Sequence, residues 1–125
     1  MEDTKEGLIK STKKTHKMQL VFKKWEELSK EEVQSIFSLR SEVFIVEQNC
    51  PYQDIDGKDE KANHLLLYEN NTLCGYTRIF PKNTYFKEAS FGRTVVKKNH
   101  RGKGYGHVLV KESIKFLKNQ KEKTI

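Results

Sequence analysis

Between Arg101 and Gly106 the chain reads Arg-Gly-Lys-Gly-Tyr-Gly, so three glycines fall within six residues beside two cations. Glycines remove side chains, which lets successive backbone N–H groups close on an anion, and a helix that begins there adds the positive end of its dipole. Such a loop is a pyrophosphate cradle; the plainer reading is a flexible basic turn ahead of a helix. Spacing excludes two other glycine motifs. A dinucleotide fingerprint counted from Gly102 needs glycine where His107 stands, and a Gly-Lys-Ser/Thr phosphate loop needs a hydroxyl where Gly104 stands.

Other reactive side chains are scattered. Asp54, Asp56 and Asp59 invite a calcium reading, but the loop lacks the glycine and the distant glutamate that calcium loops require. Bracing of this loop by Arg78 is the better account. Cys50 and Cys74 are too few for a disulfide framework and wrongly spaced for zinc, so both read as free thiols and no metal site is expected. His64 reads as a hydrogen-bonded structural histidine or as a base at the mouth of a sheet, and Tyr52, Tyr76 and Tyr105 as packing residues.

The elements that must position these groups follow from pattern. Residues 1–17 are polar and lysine-rich without a period, and read as a mobile basic tail; residues 18–125 read as one folded domain. Leu20 to Trp25 suits a strand. Ser29 and Glu32 form a capping box that opens a helix running to Glu47, with Val33, Ile36, Phe37, Arg40, Val43 and Phe44 at helical spacing. Residues 48–61 cannot hold either period. Strands follow at His64–Glu69 and Leu73–Phe80, turned by Asn70-Asn71, and at Glu88–Lys97. A last helix runs from Gly104 to about Asn119, and Thr124-Ile125 begins another strand. On the third of these later strands, period two puts Glu88, Ser90, Gly92, Thr94 and Val96 on one face.

With 35% hydrophobic and 33% charged residues, and a mean hydropathy of -0.80, the core must be small and the surface charged. No apolar run long enough to span a membrane or to lead secretion is visible, so the expected compartment is cytoplasmic with no membrane partner. Residues 97–125 carry a net charge of +7 and residues 42–60 a net charge of -5. A protein holding a polyanion at one end and a cation nearby has this asymmetry, as does an ordinary solvated surface. The lysines of the tail and last helix lack interleaved aromatics, so no nucleic-acid partner is expected.

The glycine loop resembles motif A of the GNAT acetyltransferases, with Arg101, Gly104 and Gly106 at the motif positions. Leu39 to Gly57, Gly75-Tyr76-Thr77-Arg78-Ile79 and Phe91-Gly92-Arg93 are very similar to the ElaA-like branch of that family. The resemblance implies a mixed, mostly antiparallel α/β (α+β) sheet flanked by helices and lacking the family's C-terminal strands. It implies that Arg101, Gly102, Lys103, Gly104, Tyr105, Gly106 and His107 hold the pyrophosphate of acetyl-CoA through backbone amides. It further implies that Thr94, Val95 and Val96 pair with the pantetheine arm.

The reaction so implied moves an acetyl group to a primary amine, on a small molecule or a lysine side chain. It needs a neutral amine and a stabilised leaving thiolate. Ser90 occupies the position where related histone acetyltransferases carry a glutamate base. Glu88, one repeat away, acts through water or is a solvated strand end. Glu47 is a base, a binder of a cationic acceptor, or a partner of Arg40 or Arg93. Two other readings stay open: a CoA-binding chain with weak or no turnover, and an acyl-homoserine-lactone-synthase-like acyltransferase, which Arg40, Phe44, Asp54, Asp56, Asp59, Gly75 and Arg78 also resemble. The uncovered edge of the last strand implies a homodimer.

Overall fold

The computed structural model describes residues 17–123, with side chains to residue 120. The tail read over residues 1–17 therefore lies outside the described residues except for Lys17, and the strand read at Thr124-Ile125 lies outside them too. Four strands form one antiparallel sheet in sequence order: β1 Met18–Lys24, β2 Asn63–Glu69, β3 Thr72–Phe80 and β4 Ser90–Val96. Helix α1, Lys30–Arg40, covers one face and α2, Tyr105–Lys123, the other.

Local chemistry sets the starts and turns of these elements. Ser29 Oγ accepts from the Glu32 N–H while the Glu32 carboxylate accepts from the Ser29 N–H, so the capping box closes as its residues foretell. Asn70 and Asn71 both take positive φ, 52° and 69°, the conformation that a tight right-twisted hairpin requires. The helix read through to Glu47 is α-helical only to Arg40. From Ser41 to Glu47 it widens into a π-helix, which carries Arg40 and Val43 inward and leaves Val46 and Glu47 exposed.

The alternation of the sheet sorts the core into two layers. Leu66, Leu73, Tyr76 and Val95 pack beneath Ile36, Leu39 and Val43 on the α1 side. Leu65, Leu67, Cys74 and Ile79 pack beneath Tyr105 and Leu109 on the α2 side. Gly75 permits this close approach, because a Cβ there would stand 3.1 Å from Leu109 Cδ1 and 3.3 Å from Leu67 Cβ.

One break in the alternation matters for the site. Tyr76 faces Val95 and Arg78 faces Gly92, so Thr77 alone is set against both Arg93 and Thr94. Arg93 makes this bulge with φ of 52°, uncommon for a residue with a side chain. The single face expected for Glu88, Ser90, Gly92, Thr94 and Val96 is thereby corrected. Register puts Ser90 and Gly92 on the side of Val95, while Phe91 and Val96 pack on the α2 side. Glu88 precedes the strand altogether.

Candidate active site

β4 ends at Val96, a short turn follows at Lys98–His100, and α2 begins at Tyr105. The expected strand, glycine loop and helix start are thus in place. Gly102 and Gly104 take φ of 86° and 80°, where a side chain is strained, and a Cβ on either would meet nothing within 4 Å. The space over the loop is therefore open. The first N–H groups of α2 have no partner within the helix and add its dipole to that space. Open glycine backbone leading into a helix start is a donor set whose chemistry suits an anion. The bulge at Arg93 interrupts the ladder next to Thr94, Val95 and Val96, where the pantetheine arm was expected to pair.

The cations of the loop are turned to other tasks. Arg101 donates from Nε to the Val96 carbonyl at 2.9 Å and from Nη1 and Nη2 to the Glu47 carboxylate at 2.6 and 2.8 Å. Glu47 therefore pairs with Arg101, and not with Arg40 or Arg93, the partners that one of its three readings gave it. The Arg101 hydrogen bond holds the Glu47 carboxyl below its ordinary range, which makes it a poor proton acceptor. Lys103 Nζ reaches Glu69 at 3.0 and 3.2 Å, and the Tyr105 hydroxyl donates to the same carboxylate at 2.8 Å. Burial, then the bond to Glu69, pushes the Tyr105 hydroxyl up to about 12. Gly106 is half-buried against Val96, and His107 is exposed on the first turn of α2.

On the α1 face three arginines meet three aspartates. Arg40, fully buried, donates to Asp54 Oδ2 at 3.0 Å, to Asp59 Oδ1 at 2.7 Å and to the Asp54 carbonyl at 2.9 Å. Arg78 makes paired bonds to Asp56 at 2.8 and 3.0 Å, and Arg93 reaches Asp54 at 2.8 Å. Burial is the largest single influence and opposes the Arg40 charge, but the Asp59 hydrogen bond together with the charges of Asp59 and Asp54 outweighs it and raises the pKa. Bracing by Arg78 is thus one third of a larger lattice. Its consequence is that Asp54, Asp56 and Asp59 are neutralised inside the protein, while Glu42, Glu47 and Glu60 of the same acidic stretch stay exposed.

The remaining candidates separate cleanly. Glu88 is exposed on the rim of a cavity of about 640 Å³ between residues 81–89 and the end of α2. Among the described residues it has no ion-pair partner. Ser90 is half-buried opposite Phe80 at the start of β4. His64 is buried and shares hydrogen bonds with the Tyr76 hydroxyl and the Asp59 carbonyl, which makes it structural; desolvation lowers its pKa. Cys50 is exposed and Cys74 buried, both as free thiols. Sequence reasoning missed Glu69, the carboxylate that receives Lys103 and Tyr105. The one available signal was a charge at the inward end of an otherwise apolar strand.

Comparison with known proteins places this geometry. The profile of the Acetyltransferase (GNAT) family matches residues 23–125. Protein ElaA of Escherichia coli is 38% identical over 90 residues, 70% of this chain and 59% of ElaA, so the chain spans less than two thirds of that relative. The crystal structure of Escherichia coli ElaA matches with a TM-score of 0.77 at 32% identity, over 82% of this chain and 71% of that one. An acyl-CoA N-acyltransferase from Pseudomonas aeruginosa matches with a TM-score of 0.75 at 32% identity, over 79% of this chain and 69% of that one. A predicted acetyltransferase from Clostridium acetobutylicum, crystallised with acetyl-CoA, shares the fold with a TM-score of 0.60 at 16% identity, over 84% of this chain and 76% of that one.

Proposed function

This chain belongs to the acetyltransferase (GNAT) family, and from that premise we propose that it moves an acetyl group from acetyl-CoA directly to a primary amine. The observation that carries the reading is the open glycine loop, with Gly102 and Gly104 at positive φ between the end of β4 and the start of α2. The P. aeruginosa relative named for acyl-CoA and the C. acetobutylicum relative crystallised with acetyl-CoA support the same donor.

The donor supplies a thioester carbonyl and a thiolate leaving group. Backbone amides from Gly102 to His107 bind its pyrophosphate, because Arg101 and Lys103 are engaged by Glu47 and Glu69. Thr94, within the bulge, and Val95 and Val96 beyond it orient the arm along the strand. Glu47, clamped by Arg101, positions the loop against the π-helix and is not the base. Glu88, acting through water, is the carboxylate left for receiving the amine proton, with Ser90 beside it at the strand start. Cys74 does not carry an acyl group: burial, then the Glu69 charge, lifts its thiol to about 11, far from the thiolate that nucleophilic transfer needs. Transfer is therefore direct.

The test is isothermal titration with acetyl-CoA of the parent chain and of Gly104→Glu, followed by a thiol-release assay over a panel of amines. Saturable binding in the parent and none in the variant supports the cradle, and thiol release with an amine supports transfer. Binding without release from any amine supports a CoA-binding chain that does not turn over. Absence of binding by the folded parent overturns the proposal.

A further inference from the structure

Beneath the cradle three residues of different chemistry converge: Glu69 at the end of β2, Cys74 near the start of β3 and His100 just ahead of Arg101. Each offers a ligand atom, and the three atoms lie within 4.8 Å of one another. Glu69 and Cys74 are buried, while His100 is half-buried. His100 Nδ1 is a buried atom with no hydrogen-bond partner among the described residues, and Nε2 stands 3.4 Å from Glu69 Oε1. The carboxylate is already arranged around a cation, since the Lys103 ammonium sits 3.0 Å from Oε1 and the Tyr105 hydroxyl orients Oε2 from 2.8 Å.

A thiol, an imidazole and a carboxylate form the donor set of a borderline-soft divalent ion; Mg²⁺ and Ca²⁺ ask for oxygen alone. Zinc bonds of roughly 2.0 to 2.3 Å put tetrahedral ligands about 3.5 Å apart, so these side chains close on an ion by movements of about an ångström. We propose that Glu69, Cys74 and His100 form a zinc-binding site, with the fourth position open to water. On entry Zn²⁺ displaces the Lys103 ammonium, whose side chain is 37% exposed and free to swing outward. The Cys74 S–H bond breaks, an S–Zn bond forms, and the proton passes to solvent. Tyr105 remains as the outer partner that fixes the carboxylate. Neither cysteine spacing nor histidine spacing announces such a site, because its ligands come from two strand ends and a loop.

Cobalt(II) reports a site of this kind by its spectrum. The full chain, stripped of metal and carrying Cys50→Ser to remove the exposed thiol, is titrated with Co²⁺. A thiolate-to-cobalt charge-transfer band with tetrahedral d–d bands should saturate at one equivalent and disappear when Zn²⁺ is added. The charge-transfer band should be lost in Cys74→Ala. In His100→Ala, at a half-exposed position that tolerates truncation, Co²⁺ affinity should fall more than about tenfold, the loss typical of even an outer partner. A band that survives Cys74→Ala overturns the site, as does the absence of any band in a folded chain whose Cys74 thiol is titratable after denaturation. No acyl donor enters the assay, so its outcome is independent of the proposed transfer reaction.

Discussion

Replacing Arg40 with methionine isolates the value of the arginine–aspartate lattice. The substitution keeps a long, flexible, apolar side chain and deletes the three bonds to Asp54 and Asp59. Side-chain exposures of 0% for Arg40, 2% for Asp54 and 4% for Asp59 leave little water to compensate. Breaking a buried pair from one side costs about 3–5 kcal/mol, because the charge left behind is desolvated without a partner. Here both aspartates retain a second arginine, Arg93 for Asp54 and Arg78 for Asp59, so the lower figure of about 3 kcal/mol applies. At roughly 4–8 °C per kcal/mol for a domain near this size, Tm should fall by about 12–24 °C. Thermal unfolding followed by circular dichroism, with urea titration as a second axis, measures it. A fall below about 5 °C would refute the reasoning, since it would mean that freeing Arg40 from its desolvation cost cancels the bonds it makes.

Three further outcomes follow from particular contacts. Burial is the largest single influence on Asp56 and opposes its ionisation, but the hydrogen bonds from Arg78 and the Lys58 N–H, together with the Arg78 and Arg93 charges, outweigh it and hold its carboxyl well below the usual range; the stability it contributes is present above about pH 4 and lost as pH falls. Asp56→Asn should therefore flatten the acid limb of a stability-against-pH curve, and an unchanged slope would count against the pairing. Gly75→Ala should destabilise the fold, since its methyl would press Leu109 and Leu67 from 3.1 and 3.3 Å, whereas Gly57→Ala meets open space and bears only the strain of φ 79°; equal melting shifts would contradict this. If β4, an edge strand among the described residues, pairs with a second copy, light scattering should give twice the monomer mass, and a stable monomer would remove the idea.

Much of the frame was legible because local chemistry wrote it. Ser29 and Glu32 announced the helix start, Asn70-Asn71 the hairpin, and the glycines from residue 102 the turn into α2. The parts that stayed hidden depend on partners far along the chain. Nothing local to Glu47 points to Arg101, and nothing local to Glu69 points to Lys103 and Tyr105. The bulge escaped for a different reason: left-handed backbone is expected at glycine or asparagine, and Phe91-Gly92-Arg93 puts it on the arginine. That single displaced residue undid the alternation on which the face of Glu88 and Ser90 had been drawn. The acidic loop misled through composition, since a run of aspartates looks open to ligands until the arginines that neutralise it are located in three other elements.

The Lys97 N–H donates to the carbonyl of Cys74 at 2.7 Å, so the floor of the glycine loop is pinned to the backbone of β3 directly beside a buried thiol. Cys74 is fully buried, so an alkylating reagent, far bulkier than a metal ion, cannot touch that sulfur while the pin holds and α2 covers it. The rate at which Cys74 is alkylated in the native protein is then a clock for local opening at this end of the sheet, and Cys50, always exposed, provides the unprotected reference in the same chain. Comparing the two rates across denaturant concentration would tell whether the floor opens on its own or only when the whole sheet comes apart.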